Sequence, residues 1–359
     1  MRKYLFALLF ISGFAHGQKA GGFDDVLKHY QLEQNFTGTL LVANHGKINF
    51  QAATGKPRRD SGTNILLKSK FKIASITKTF TAVLIMQLVE KEQLDLKATI
   101  GTYLADYNGE AKNKVTIENL LTYSSGLPNC ESYIGEEIYR QPITRDSFII
   151  KYCSGNLSSN PGTKFNYNNG DYVILGKIVE AVSGKSFEEC LEAKILKPLK
   201  MPNTGMLKST ALVTGLVPSY TYDDSLKIFT PDPPYYIENY FSAGAMYSTA
   251  EDLLKFDQGI FSCKILQKKT VALMLTPYPS LGNVGLGFWI SENYGALNSR
   301  FAYRPGGIYG ATANWIHVID SNRAIIALSN SNASNLFEIS QQLNAVATGK
   351  PAALSKKSN

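Results

Sequence analysis

The chain has 359 residues, 44% of them hydrophobic, enough to bury a large core in one big domain or two smaller ones. Its formal net charge of +8 comes from scattered lysines with no basic stripe interleaved with aromatics, a pattern that argues against nucleic-acid binding. A faintly cationic surface is compatible with an anionic cell wall or membrane surface, but nothing in the chain requires one.

The first residues, "MRKYLFALLFISGFAHG", place two basic residues before an apolar run and then the small-residue site Ala15-His16-Gly17, the pattern of a cleaved signal over residues 1–17. That run is too short to span a bilayer, and no later segment approaches the roughly 20 apolar residues a spanning helix needs. The expected product is periplasmic or secreted, with no transmembrane segment. No cysteine follows the apolar run to carry a lipid anchor.

Residues 23–33 read as a short helix, and "GTLLVANHGKINFQAATG" as a hairpin about the turn "NHG". From 75 to about 93, apolar residues at mostly three- and four-residue intervals predict a largely buried central helix. Residues 115–230 mix short helices with turn-rich loops and little strand. At "MYSTAEDLLKF", Ser248 followed by Glu251 announces a helix through a capping box. "GLGFWISEN", "RFAYRP", "GATANWIHVID" and "NRAIIALSN" read as antiparallel strands, and "NLFEISQQLNAVATG" as a closing amphipathic helix. The tail 350–359 reads as disordered.

These elements predict an α/β protein of the α+β type. Strands from both ends of the chain form one antiparallel sheet flanked by helices, with a mostly helical lobe inserted between them. The expected boundaries are a single catalytic domain over 18–349, its α/β lobe at about 21–75 and 240–348 and its helical lobe at about 76–239.

Cys130, Cys153, Cys190 and Cys263 allow three disulfide pairings, and their spacing does not choose among them. No Cys-x-x-Cys or His-x-x-x-His spacing suggests a metal, and no cofactor is expected. His317 sits in an alternating run and reads as a strand residue rather than a catalyst.

Two Ser-x-x-Lys matches occur, Ser69 to Lys72 and Ser75 to Lys78, and chance alone would give roughly two. The first lies in an extended-looking stretch. The second opens the predicted central helix, where residues three apart share a face. A lysine there is unusual, because a helix N-terminus favours acidic side chains; that field, with burial, lowers its pKa and frees an amine to act as base for a serine. Locally, Ser75 also fits a plain N-cap.

Several segments in order resemble the family of serine beta-lactamases, penicillin-binding proteins and related esterases, in particular its class C-like branch. "FKIASITKTFTA" is similar to the family's Ser-x-x-Lys helix start, "LLTYSSGLP" to its "LLTHTSGLP" loop, and "NPGTKFNYNNGDYVILGKIVE" to its "PGxxFxYSNxGYxLLGxIIE" segment. "SAGAMYSTAEDLLKF", "GLGFW" and "RPGGIYGATANW" follow in the family's order, so the resemblance runs from about residue 38 to 330.

The resemblance implies Ser75 as nucleophile, Lys78 as base, and Tyr167 as second base and donor to the leaving group. It implies that Asn169 binds Lys78 and a substrate amide, and that the Ser75 and Gly307 N–H groups form an oxyanion hole. Read without it, Tyr167 to Asn169 is a turn before a helix. The chain departs at the third motif, where Arg304-Pro305-Gly306 replaces Lys or His, then Thr or Ser, then Gly. Arginine keeps a cation able to bind an anionic substrate group bidentately, whereas proline removes a hydroxyl and a backbone donor. Gly306 and Gly307 allow close backbone approach. The alternative there is a strand-entry turn with a surface arginine.

The expected function is an exported serine hydrolase acting through an acyl-enzyme on an ester or peptide amide, such as a D-Ala-containing, peptidoglycan-derived fragment. A class C-like beta-lactamase and a non-catalytic sensor on the same fold are the alternatives. Oligomeric state is left open.

Overall fold

The computed structural model describes residues 22–60, 62–292 and 299–354. The expected signal at 1–17 and the last residues of the expected tail, 355–359, lie outside them.

Six strands form the main sheet: β1 (Gly38–Asn44), β2 (Lys47–Thr54), β3 (Trp289–Ser291), β4 (Phe301–Ile308), β5 (Ala311–Val318) and β6 (Arg323–Ser329). Their order is β2-β1-β6-β5-β4-β3, every neighbour antiparallel, so strands from the two ends of the chain meet at the β1–β6 pair. The β1–β2 hairpin turns through His45 and Gly46, both at positive φ (49° and 76°), the left-handed conformation that suits a two-residue hairpin turn.

Both faces of the sheet are covered, which is why "LLVA" and "AIIAL" are continuous apolar runs. Alternate residues go to opposite sides. Leu40, Val42, Ile325 and Ala327 join the cluster beneath the helices Phe23–Glu33 and Leu336–Ala347. Leu41, Ala43, Ile326 and Leu328 join a larger core that runs without a break into the helical region.

The central helix is Thr77–Glu90, and every residue from Thr77 to Met86 is buried. Such a helix must be enclosed on all sides. Phe80 stacks on Phe256 of the helix Ala250–Phe261 at a ring separation of 3.6 Å, and the helices Asn169–Ser183 and Phe241–Gly244 pack elsewhere along it. The regular structure between the two sets of main-sheet strands is mostly helical, with short strands at Phe71–Lys72, Gly205–Met206, Tyr220–Asp223, Ile228–Pro231 and Met246–Ser248. Among the described residues no helix is long and apolar enough to cross a membrane.

Local details differ from the sequence reading. The helix at 250 is capped by Thr249, whose side chain accepts from Asp252 N–H, while Ser248 ends a strand; adjacent hydroxyls made the cap ambiguous by one residue. "RFAYRP" continues as strand through Gly306 and Gly307 to Ile308. Pro305 is tolerated there because pairing with β3 stops at Tyr303, leaving that edge of β4 open. Residues 350–354 have no regular structure, yet Ala353 N–H donates to Gln342 Oε1 at 2.7 Å, and Ala352 and Leu354 pack against the smaller cluster.

Candidate active site

The residues around Ser75 are held by backbone pairing on one side and by β4 on the other. Phe71–Lys72 pairs with Met246–Ser248, and Ile73 N–H donates to Met246 O at 3.0 Å. The chain then turns through Ala74 at φ 46°, a left-handed conformation that costs a non-glycine residue about 1 kcal/mol or more, before a short 3₁₀ turn, Ala74–Ile76, leads into the central helix. β4 lies directly behind this turn. A Cβ on Gly306 would sit 2.4 Å from Ile73 O and 3.1 Å from Ser75 N, so only glycine permits the approach.

Ser75 does not cap the helix; no side-chain cap bond forms at its start. Its Oγ instead lies 2.8 Å from Tyr167 Oη and accepts from Lys78 Nζ at 3.1 Å. Lys78 is fully buried, and its ammonium also donates to Asn169 Oδ1 at 2.5 Å and Ala243 O at 2.7 Å. The three donors of an ammonium are thereby matched. Burial is the main cause of a lowered Lys78 pKa. Asn169 Oδ1 and Ala243 O can only accept, so in the neutral amine they claim its two hydrogens and leave the lone pair facing Ser75.

Tyr167 lies just before the helix Asn169–Ser183, whose cap is Asn168, with Oδ1 accepting from Gly170 N–H at 2.9 Å. Burial pushes its phenol pKa up, but the Lys78 and Arg304 cations outweigh this and bring it below the ordinary value.

Arg304 occupies neither of the positions expected for it. It is no surface arginine, and its guanidinium does not reach the cleft: the side chain is 0% exposed. Side chains alternate along β4, and Arg304 points inward between outward-facing neighbours. Nε donates to Ser75 O at 2.9 Å and Nη2 to Tyr123 Oη at 2.6 Å, while the guanidinium carbon lies 4.7 Å from the Trp289 ring centre. Nη1 is buried without a protein partner.

Glu131 and Tyr123 are neighbours that sequence reasoning missed. Glu131 Oε1 accepts from Asn169 Nδ2 at 2.5 Å and from the Tyr139 hydroxyl, and Asn169 Nδ2 also approaches Tyr139 Oη at 3.3 Å. The carboxylate can only accept, so it fixes the Asn169 amide with Oδ1 toward Lys78. With Tyr139 Oη facing the same nitrogen, both N–H donors of Asn169, the group expected to bind substrate, have protein partners. Tyr123 sits in the segment "LLTYSSGLP", a signal that could have found it; nothing marked Glu131.

Ser75, Phe165, Tyr167, Trp289, Pro305, Gly306 and Gly307 line an open cleft of about 470 Å³. A slightly larger hollow of about 530 Å³ near Tyr107 and Ile149 also holds a serine and a lysine, but Ser154 Oγ donates to Ile150 O and Lys177 Nζ pairs with Asp146, so we place the site at the smaller one, into which the nucleophile candidate opens. The other Ser-x-x-Lys match is structural. Ser69 Oγ accepts from Leu66 N–H at 2.9 Å, and Lys72 Nζ donates to Ser219 Oγ at 2.9 Å, Tyr235 Oη at 2.8 Å and Asp232 Oδ2 at 3.5 Å. His317 is a buried residue of β5, bonded to Asp257 at 2.9 Å and stacked on Phe261. All four cysteines are free thiols, Cys263 alone exposed. Among the described residues no three His, Cys, Asp or Glu side chains gather as a metal site.

The beta-lactamase family profile matches residues 23–349. The chain belongs to the beta-lactamase family. That family's fold carries hydrolases. The putative penicillin-binding protein PbpX of Bacillus subtilis (strain 168) is 28% identical over 276 residues, 76% of this chain and 67% of that protein. The teichoic acid D-alanine hydrolase of Staphylococcus aureus (strain MRSA252) is 23% identical over 308 residues, 84% of this chain and 72% of that one. Among solved structures, the octameric penicillin-binding protein homologue from Pyrococcus abyssi superposes with a TM-score of 0.80 at 24% identity, covering 92% of this chain and 78% of that chain. D-amino acid amidase from Ochrobactrum anthropi SV3, complexed with L-phenylalanine, gives 0.76 at 20% identity, covering 91% and 98%. At these identities the structural likeness speaks for the fold.

Proposed function

We propose that the chain is an exported serine hydrolase that forms an acyl-enzyme on Ser75, opening an ester or a peptide amide such as a D-Ala-containing cell-wall fragment. The observation that carries this reading is the approach of two bases to one hydroxyl: Tyr167 Oη at 2.8 Å and Lys78 Nζ at 3.1 Å from Ser75 Oγ, at the edge of the cleft. Lys78 or Tyr167 takes the Ser75 proton, Oγ attacks the carbonyl carbon, and Tyr167 returns a proton to the leaving group. Water then hydrolyses the acyl-enzyme. The N–H groups of Ser75 and Gly307 hold the oxyanion, each worth roughly 3 kcal/mol in comparable sites. Relatives that act on D-alanyl and D-amino-acid groups, by their names, support the substrate class. Export rests on the N-terminal pattern alone, and the N-terminal sequence of the secreted protein, expected to begin near Gln18, checks it.

The decisive test incubates the mature protein with p-nitrophenyl acetate and with a chromogenic cephalosporin, then repeats both with Ser75→Ala. Ester turnover that disappears in the variant, with a covalent mass shift on Ser75 from a serine probe, is the expected result. No turnover and no mass shift would favour a non-catalytic sensor. Cephalosporin hydrolysis at ordinary enzymatic rates would make the chain a beta-lactamase.

A further inference from the structure

The wall of the cleft bears on which bond Ser75 opens, given the reading of Ser75 as nucleophile on which this inference rests. None of the seven lining residues carries a charge. The two cations beside Ser75 are both withdrawn from the cleft: Lys78 and Arg304 are 0% exposed. Lys78 spends its donors on Ser75, Asn169 and Ala243, and Arg304 spends Nε and Nη2 on Ser75 O and Tyr123. The remaining nitrogen, Nη1, is buried, with Trp289 stacked over the guanidinium. Pro305, exposed at the cleft, offers neither a hydroxyl nor an N–H.

A carboxylate brought into this cleft would lose water and gain no cation from the residues that line it, which is unfavourable. An uncharged or aromatic group would cover Phe165, Trp289 and Pro305 at no such cost. We propose that the site selects acyl donors whose leaving group carries no carboxylate, such as esters of neutral alcohols and phenols, and discriminates against those that end in a free carboxylate. In acylation the Ser75 Oγ–carbonyl bond forms and the bond from the carbonyl to the leaving oxygen breaks. The proton lost from Oγ passes through the Lys78–Tyr167 pair to that oxygen, so the leaving alcohol departs neutral, and no other reactant is needed until water enters.

The experiment compares phenyl acetate with 3-acetoxybenzoate, which share the acetyl group and differ by one carboxylate on the leaving phenol. The expected result is a kcat/KM at least about tenfold lower for the carboxylated ester, carried mainly by KM, with both activities lost in Ser75→Ala. Placing a cation on the exposed rim with Pro305→Lys should narrow that ratio. Equal or faster turnover of 3-acetoxybenzoate by the unaltered protein overturns this proposal while leaving the serine hydrolase intact. Absence of Ser75-dependent turnover of either ester sinks both.

Discussion

Residues 69–72 and 75–78 carry the same Ser-x-x-Lys spacing a few positions apart, and the fold gives them opposite uses. Ser69 closes a local turn on Leu66, and Lys72 ties its strand to Ser219, Asp232 and Tyr235, retaining some contact with solvent. Ser75 and Lys78 meet each other, and Lys78 has no exposure at all. Both lysines have pKa values lowered first by burial, but Lys72 sits beside the carboxylate of Asp232, which favours its charged form. The difference teaches that spacing decides only whether a serine and a lysine can meet. Helical geometry makes them meet, and among the described residues no carboxylate pairs directly with Lys78, which leaves the amine able to give up its proton.

The sharpest way to break this contrast is to remove each serine. Ser75→Ala should lower ester kcat/KM by roughly 10⁴-fold or more, whereas Ser69→Ala should leave it within about twofold. A comparable loss in both variants would mean that the two motifs do not differ as described.

Removing the lysines separates chemistry from stability. Lys78→Met, like Tyr167→Phe, should cost about 10²- to 10⁴-fold in kcat. Lys72→Met should instead lower unfolding stability by about 1–3 kcal/mol in urea titration, with kcat of the folded fraction retained. An inactive but stable Lys72→Met protein would contradict its structural role.

Arg304 sharpens the contrast through pH. It is one of two cations that hold the Tyr167 phenol below its ordinary pKa, and the phenolate that can act as base exists only above that pKa. Arg304→Gln removes a positive charge, so the Tyr167 pKa should rise and the acidic limb of the kcat/KM profile should move to higher pH. An unmoved limb would show that Arg304 acts only by packing.

The smallest effect is expected from Glu131→Gln. Freed to turn, the Asn169 amide would no longer hold Oδ1 toward Lys78, and kcat should fall by about tenfold with little change in KM. A rise in KM alone would instead assign Glu131 to substrate binding.

Much of the fold was legible along the chain because it rests on local patterns. The two-residue turn at His45-Gly46, the unbroken apolar runs of β1 and β6 and the fully buried helix after Ser75 each carry a periodicity or turn signal. The companions of Ser75 were legible through ordered motifs, which named Tyr167, Asn169, Gly306 and Gly307. Glu131 was not, because its role comes from one hydrogen bond across 38 positions in a segment with no repeating pattern. Arg304 was placed on the right strand but on the wrong side of the wall. "RFAYRP" showed a strand without showing that pairing with β3 stops at Tyr303 and that Arg304 turns toward Ser75 O.

By itself, then, the sequence determined which residues form strands and helices and in what order the candidate groups arrive, since these depend on side-chain period and backbone preference. The tertiary structure alone decided which of two lysines is stripped of water, which face of β4 holds the arginine, and that the cleft wall is left uncharged. Desolvation and electrostatics depend on what surrounds a group in space, and those surroundings come from segments far apart along the chain, 91 positions for Lys78 and Asn169 and 229 for Arg304 and Ser75.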